Sequence, residues 1–334
     1  MKSKYSLHIY SISTLIILLI ISIYLSISIG EINFSIKDLI KIYTNKQGIE
    51  YTIINNIRIP RIILGLSIGG ALSLSGVILQ GIYRNPLVEP YTLGISGGAA
   101  LGVSITIVLG LNYLNTLILP LSGFIGSLIT ISIIYALSVT NSRFNINKML
   151  LIGVMISFIA SAIMMLLMSI TSIENLHSII FWTMGSLDES NTILVKIAFY
   201  SSISGLLLSY MFATPLNALR LGKSKAKHLG INTDLSIKIL FIIASVLTGI
   251  SVSIVGIIGF VGLIIPHILR IIVKNDYRLL LITSFLGGGI FIIICDIIAR
   301  TIIAPNELPI GVITGIIGGF IFIIVISKSK YNIQ

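Results

Sequence analysis

Gly222-Lys223-Ser224 has the residue types that close a phosphate-binding loop, so it is the first candidate for chemistry. Such a loop needs a further glycine five residues before Gly222 and a strand ahead of it, because its backbone N–H groups must curl around the phosphates. Position 217 is Asn217, and an apolar stretch precedes it. The loop cannot form, and any ATP chemistry has to come from another chain. Metal binding finds no support either: His8, His177, His228 and His267 are dispersed, and Cys295 is the single cysteine, which also excludes a disulfide framework. Asp296 and Arg300 lie four apart and can pair on one helix, while Glu174 and Glu307 stand at the ends of apolar stretches. No nucleophile–base pair appears, which counts against a membrane-embedded enzyme. Met164, Met165 and Met168 could line a path, but ordinary packing is the favoured reading of such methionines.

The elements that would position these residues are membrane spans. The chain has 334 residues, of which 10% are charged and 55% apolar, and a mean hydropathy of +1.07. Soluble domains carry about 25% charged residues. A bilayer crossing takes about 20 apolar residues, and charge-free windows fall at 5–30, 62–83, 90–142, 149–173, 197–219, 239–269, 279–295 and 308–327. Window 90–142 must hold two spans, broken around 110–115 and Pro120. Window 239–269 is long for one crossing and short for two. If it crosses twice, turning near Gly256–Gly259, 15 basic and three acidic residues lie on one side, against seven basic and eight acidic on the other. That is the positive-inside pattern. The expected fold is therefore an all-α membrane protein: a polytopic bundle of about ten transmembrane helices at 6–29, 61–83, 91–110, 116–139, 148–172, 192–213, 234–256, 258–273, 278–300 and 308–327. Both termini are expected in the cytoplasm, and residues 1–334 are read as a single transmembrane domain. The net charge of +11 is placed for a membrane surface, not for nucleic acid. Lys2 and Lys4 before an apolar run resemble a signal peptide, but the run is long and no cleavage-type site follows, so an uncleaved helix is expected. Scarce intramembrane acids count against an ion-coupled secondary transporter.

Several local patterns have both a bland and a functional reading. Glycines and serines between Gly65 and Gly76 and between Gly94 and Gly102 let helices approach closely. Arg84-Asn85-Pro86-Leu87-Val88-Glu89-Pro90 is a polar turn bracketed by prolines. Ser35 to Ile40 reads as a short surface helix on the external side. Pro215 to Gly230 reads as a basic cytoplasmic helix, either a positive-inside loop or a docking element with Leu216, Leu219, Leu221 and Leu229 available for contact.

Arg58-Ile59-Pro60-Arg61, Gly69 to Gly76, Gln80, Asn85-Pro86-Leu87, Gly94 to Ala99, Phe181 to Ser186, Leu229-Gly230, Gly259 to Arg270 and Glu307 to Gly311 occur in the order and form of a known family. Together they make the chain resemble the FecCD-type permeases of ABC importers for iron–siderophore, haem and cobalamin, over nearly its whole length. Phe320 stands where that family usually has proline, and Gly97 where it usually has serine.

The resemblance implies a ten-helix fold like that of the cobalamin importer permease, with helices two to five and seven to ten as inverted repeats. It implies a bacterial plasma-membrane location and three kinds of protein partner: a second permease copy or paralogue, two cytoplasmic ABC ATPase subunits, and an extracellular or periplasmic substrate-binding protein. ATP and Mg would be bound by the ATPase, leaving this chain with no cofactor, no metal site and no enzymatic step. By position, the resemblance assigns docking of the binding protein to Arg58, Arg61 and Arg300. Alternatively, Arg61 anchors its own helix and Arg300 is satisfied by Asp296. It assigns ATPase coupling to Leu216, Asn217, Leu219, Arg220, Leu221, Gly222, Lys223, Ala226, Leu229 and Gly230, and the cytoplasmic gate to Ile146 and Asn147. The implied cargo is an iron–siderophore-type complex, with haem or cobalamin as alternatives.

Overall fold

The computed structural model describes residues 2–140, 143–274 and 276–328. The chain runs through α1 (Lys2–Ser28), α2 (Ile36–Asn45), α3 (Ile49–Ile53), a π-helical turn (Ile54–Arg58), α4 (Ile59–Tyr83), α5 (Ile95–Val108) and α6 (Ile118–Ser138). A two-residue hairpin, β1 (Val139–Thr140) with β2 (Arg143–Phe144), leads to α7 (Ile146–Ile170), α8 (Ile173–Met184) and α9 (Thr192–Met211). Then follow α10 (Ala213–Leu219), α11 (Lys223–His228), α12 (Thr233–Val255), α13 (Val261–Val273), α14 (Tyr277–Thr301) and α15 (Ile310–Lys328).

All ten expected spans are present: α1, α4, α5, α6, α7, α9, α12, α13, α14 and α15. Among the described residues seven apolar helices are long enough to cross a membrane alone, and α5, α13 and α15 are the shorter apolar ones. The ambiguous window does divide, with irregular backbone from Gly256 to Phe260. The basic segment after α9 is two short helices instead of one, because Gly222 at φ +108° breaks it. Polar caps explain where several helices start. Asn145, Asn191, Asn232 and Asp276 each accept a backbone N–H from the first turn of the following helix, satisfying donors that have no partner within the helix. Before α2, Ser35 and Asp38 form a capping box, and the Ser35 hydroxyl and N–H hold the Asp38 carboxyl below its usual range.

Burial separates core from rim. The apolar window of the α4 span is 89% buried and those of α12 and α14 are 67%, against 17% for α1 and 11% for α7. α4 is thus the central post, and α1 and α7 form part of the rim. Close approach is backbone to backbone: a Cβ on Gly69 would sit 2.2 Å from the Gly288 carbonyl oxygen, and one on Gly76 only 1.9 Å from that of Gly262. In lipid such contact substitutes for a hydrophobic drive between helices.

The packing occurs twice. α4 lies on α14 and α12 lies on α6; α5 touches α6 and α7, and α13 touches α14 and α15. Both short helices begin at a left-handed residue, Gly94 (φ +74°) before α5 and Phe260 (φ +70°) before α13. The two halves therefore share one pattern of helix contacts.

Gly76→Val should fail to pack against Gly262, overfilling the core by about 1–3 kcal/mol and lowering the melting temperature in detergent. Gly259→Ala, where a Cβ would meet nothing within 4 Å, should melt like the parent.

Candidate functional site

Arg61 sits in the first turn of α4, and its side chain is only 4% exposed. Its two terminal nitrogens grip Glu307 as a fork, Nη1 to Oε1 at 2.9 Å and Nη2 to Oε2 at 2.6 Å. Nη2 also lies 3.0 Å from Asp188 Oδ1, and Nη1 4.0 Å from Asp296 Oδ1. One guanidinium therefore ties α4 to α14 and to the connections before α9 and α15. The matched fork geometry is what makes a desolvated charge tolerable here. Asp296 is shared: Arg300 Nε approaches its Oδ2 at 2.9 Å, and Arg300 Nη2 donates to Ser26 Oγ at 3.1 Å. Arg58 donates to the carbonyls of Ile27 and Ile32 and lies over the Phe34 ring, 4.7 Å from its centroid.

The three arginines assigned to docking are thus brought together at one end of the bundle, but they face inward, with 4%, 4% and 9% of their surfaces exposed. The alternative reading of Arg300, satisfied by Asp296 on its own helix, is met. Of the carboxylates around Arg61, Asp188 (70%) and Glu307 (47%) are the exposed ones. Sequence reasoning passed over Asp188; its position just after the Phe181–Ser186 motif was the available signal.

At the other end the coupling residues divide. Leu216, Leu219 and Ala226 are buried in the main core, so they hold α10 and α11 in place and do not offer surface to a partner. Asn217 is also used internally, donating to Asp276 Oδ1 and accepting the Tyr277 N–H, both at 3.1 Å. Lys223 and Lys227 clasp Asp234 at 2.6 and 3.1 Å. Leu221 (54%) and Leu229 (63%) remain outward, with Arg220 and Gly230 exposed beside them and Gly222 half-buried. Ile146 is half-buried against the core and Asn147 exposed, in the first turn of α7. Met164 and Met168 pack in a small cluster with Val103, Ile107, Ile179 and Trp182, which bears out packing for these two.

Between the two ends, the connection before α5 meets the break before α13. Tyr91 Oη donates to the Ile258 carbonyl at 2.6 Å and accepts the Ile258 N–H at 3.1 Å. Pro90 lies where a Cβ on Gly262 would fall. Nearby, Gln80 donates to the Gly262 carbonyl and accepts from Arg270.

Comparison with known proteins places this architecture. The sequence pattern described as the FecCD transport family matches residues 18–328. The hemin transport system permease protein of Yersinia pestis is 36% identical over 294 residues, 87% of each chain. The molybdate import system permease protein of Haemophilus influenzae is 33% identical over 297 residues, 86% of this chain and 87% of the other. A solved inward-facing structure described as a metal-chelate type ABC transporter superposes with a TM-score of 0.84 at 31% identity, covering 96% of this chain and all of that one.

Arg61→Met should leave Asp296 buried beside a single arginine and destabilise the chain by about 3 kcal/mol, the low end for a broken buried pair because Glu307 and Asp188 stay partly hydrated. Asp188→Asn should cost less than about 1 kcal/mol. Denaturation of the two purified variants side by side checks this ranking.

Proposed function

The chain belongs to the FecCD transport family and is an ABC importer permease, and from that premise we propose that its cargo is an iron–siderophore-type complex. The match over 18–328 carries the class. For the cargo, the support is the likeness to a metal-chelate transporter. The relatives include one for hemin and one for molybdate, so kinship alone does not choose among cargoes. Haem or cobalamin are the alternatives. An ion-coupled carrier gains nothing from the structure, since the buried Asp296 already faces two arginines.

In this reading the permease works as a dimer with a second copy or a paralogue. It is fed from outside by a substrate-binding protein and driven from the cytoplasm by two ATPase subunits that bind ATP and Mg. Both termini lie in the cytoplasm of a bacterial cell. The drive is mechanical: closing of the ATPases shifts the balance between inward- and outward-open arrangements. Leu221 and Leu229, on a basic and rigidly braced pair of short helices, are the contact that receives this movement. Ile146 and Asn147, where α7 begins, act as the cytoplasmic gate.

On the external side, Arg58 and Arg300 converge beside Gly30, where a Cβ would meet Arg58 Nη2 at 2.7 Å and Arg300 Nη1 at 3.5 Å. For an acidic side chain of the binding protein to dock on this pair it must displace the Ile27, Ile32 and Ser26 oxygens that the two arginines hold. Arg61, held by Glu307, shapes the socket around it.

Reconstitution with the cognate ATPase and binding protein should give ATP-dependent uptake of a ferric siderophore. Uptake by the chain alone on an ion gradient would overturn the reading. Leu221→Asp with Leu229→Asp should reduce ATP-driven uptake at least about tenfold, the effect of losing roughly 1.4 kcal/mol of docking, without changing the melting temperature.

A further inference from the structure

An external cavity of about 440 Å³ opens between the ends of α5 and α6, helix α8 and the connection into α15. Its size falls within the range of small-molecule sites, roughly 300–1,000 Å³. Phe181 and Trp182 supply flat apolar walls, and Ser178, Ser186 and Asn112 supply polar groups. Glu307 is the one ionised side chain of the lining, and its carboxylate is already gripped by Arg61. Asn112 Oδ1 is buried and has no hydrogen-bond partner. A buried acceptor without a donor is costly, so this oxygen is suited to an N–H or O–H brought by a ligand.

The charge of the wall narrows the ligand class. No lysine, arginine or histidine lines the cavity, and the Arg61 charge behind Glu307 is already spent on that carboxylate, so an oxyanion would find no cation facing it. A bare metal ion would meet one carboxylate that is committed elsewhere. An uncharged or cationic organic group with a planar, conjugated face has partners for each of its parts: the aromatic walls for the plane, and Asn112 and the serines for its polar edge. We propose that this pocket is a vestibule subsite that takes the organic face of an uncharged or cationic metal chelate and rejects oxyanions. The proposal rests on the chelate reading of the cargo, but it concerns binding by this chain before any ATP-driven step.

Trp182 is the only tryptophan in the sequence, so its fluorescence reports on this cavity alone. The full chain in lipid nanodiscs, without ATPase or binding protein, is titrated with a gallium(III) trihydroxamate, a neutral and colourless stand-in for the ferric chelate, and separately with sodium molybdate. The chelate should change Trp182 emission saturably, and molybdate should neither change it nor compete. Asn112→Leu should weaken chelate binding about tenfold, as expected for one lost hydrogen bond, with an unchanged melting temperature, while Asn112→Ser, which keeps an acceptor, should fall in between. Absence of a saturable change, competition by molybdate, or undiminished binding by the leucine variant would each overturn the proposal. ATP-dependent uptake without such binding would leave the transport reading standing and remove only the pocket. Binding without uptake would do the reverse.

Discussion

No water is available inside a hydrocarbon layer to satisfy backbone that leaves a helix, so every break there must be repaired by the protein itself. This constraint explains the middle of the molecule. The 84–94 connection and the 256–260 break face each other, and a side chain of the first repairs the second. Tyr91 takes both polar groups of Ile258 with one hydroxyl. The short helix α13 can begin where it does because the loop before α5 supplies a partner to the break ahead of it. Phe260 accepts a left-handed backbone that costs a non-glycine residue of the order of 1 kcal/mol, which shows how strongly its surroundings fix that turn.

The same requirement arranges the charges at the two ends. At one end Arg58, Arg61 and Arg300 gather with Asp188, Asp296 and Glu307, and the longest-range of these pairings joins α4 to a residue almost 250 positions later. At the opposite end lysines outnumber acids: Lys223 and Lys227 share Asp234, while Lys225 stays at the surface. One end is thus balanced and interlocked, and the other is basic.

Much of the fold was legible in the sequence because lipid imposes a simple ruler. Charge-free windows gave ten spans, and the parity of the basic loops divided 239–269 near the glycines where the chain does break. Helix α8 was missed as a helix: with Glu174 and His177 near its start and only 12 residues, it is too short and too polar for that ruler. The inward turn of Arg61 was not legible, since its partners are set by tertiary packing and no local spacing links position 61 to 188, 296 or 307. The coupling segment failed as a single helix for a local reason. Gly222 adopts φ +108°, and that break turns Leu216 and Leu219 inward while leaving Leu221 and Leu229 outside. A glycine in an apparently helical stretch was the available sign.

The glycine face of α4 has a bearing on how the chain is made. Gly69 and Gly76 are covered by Gly288 and Gly262, which the ribosome delivers about two hundred residues later. At 5–20 residues per second this is a wait of roughly 10–40 s. Throughout it the central post stands in the bilayer with its narrowest face bare, so biogenesis, more than final stability, is where this protein is most vulnerable to a wrong neighbour.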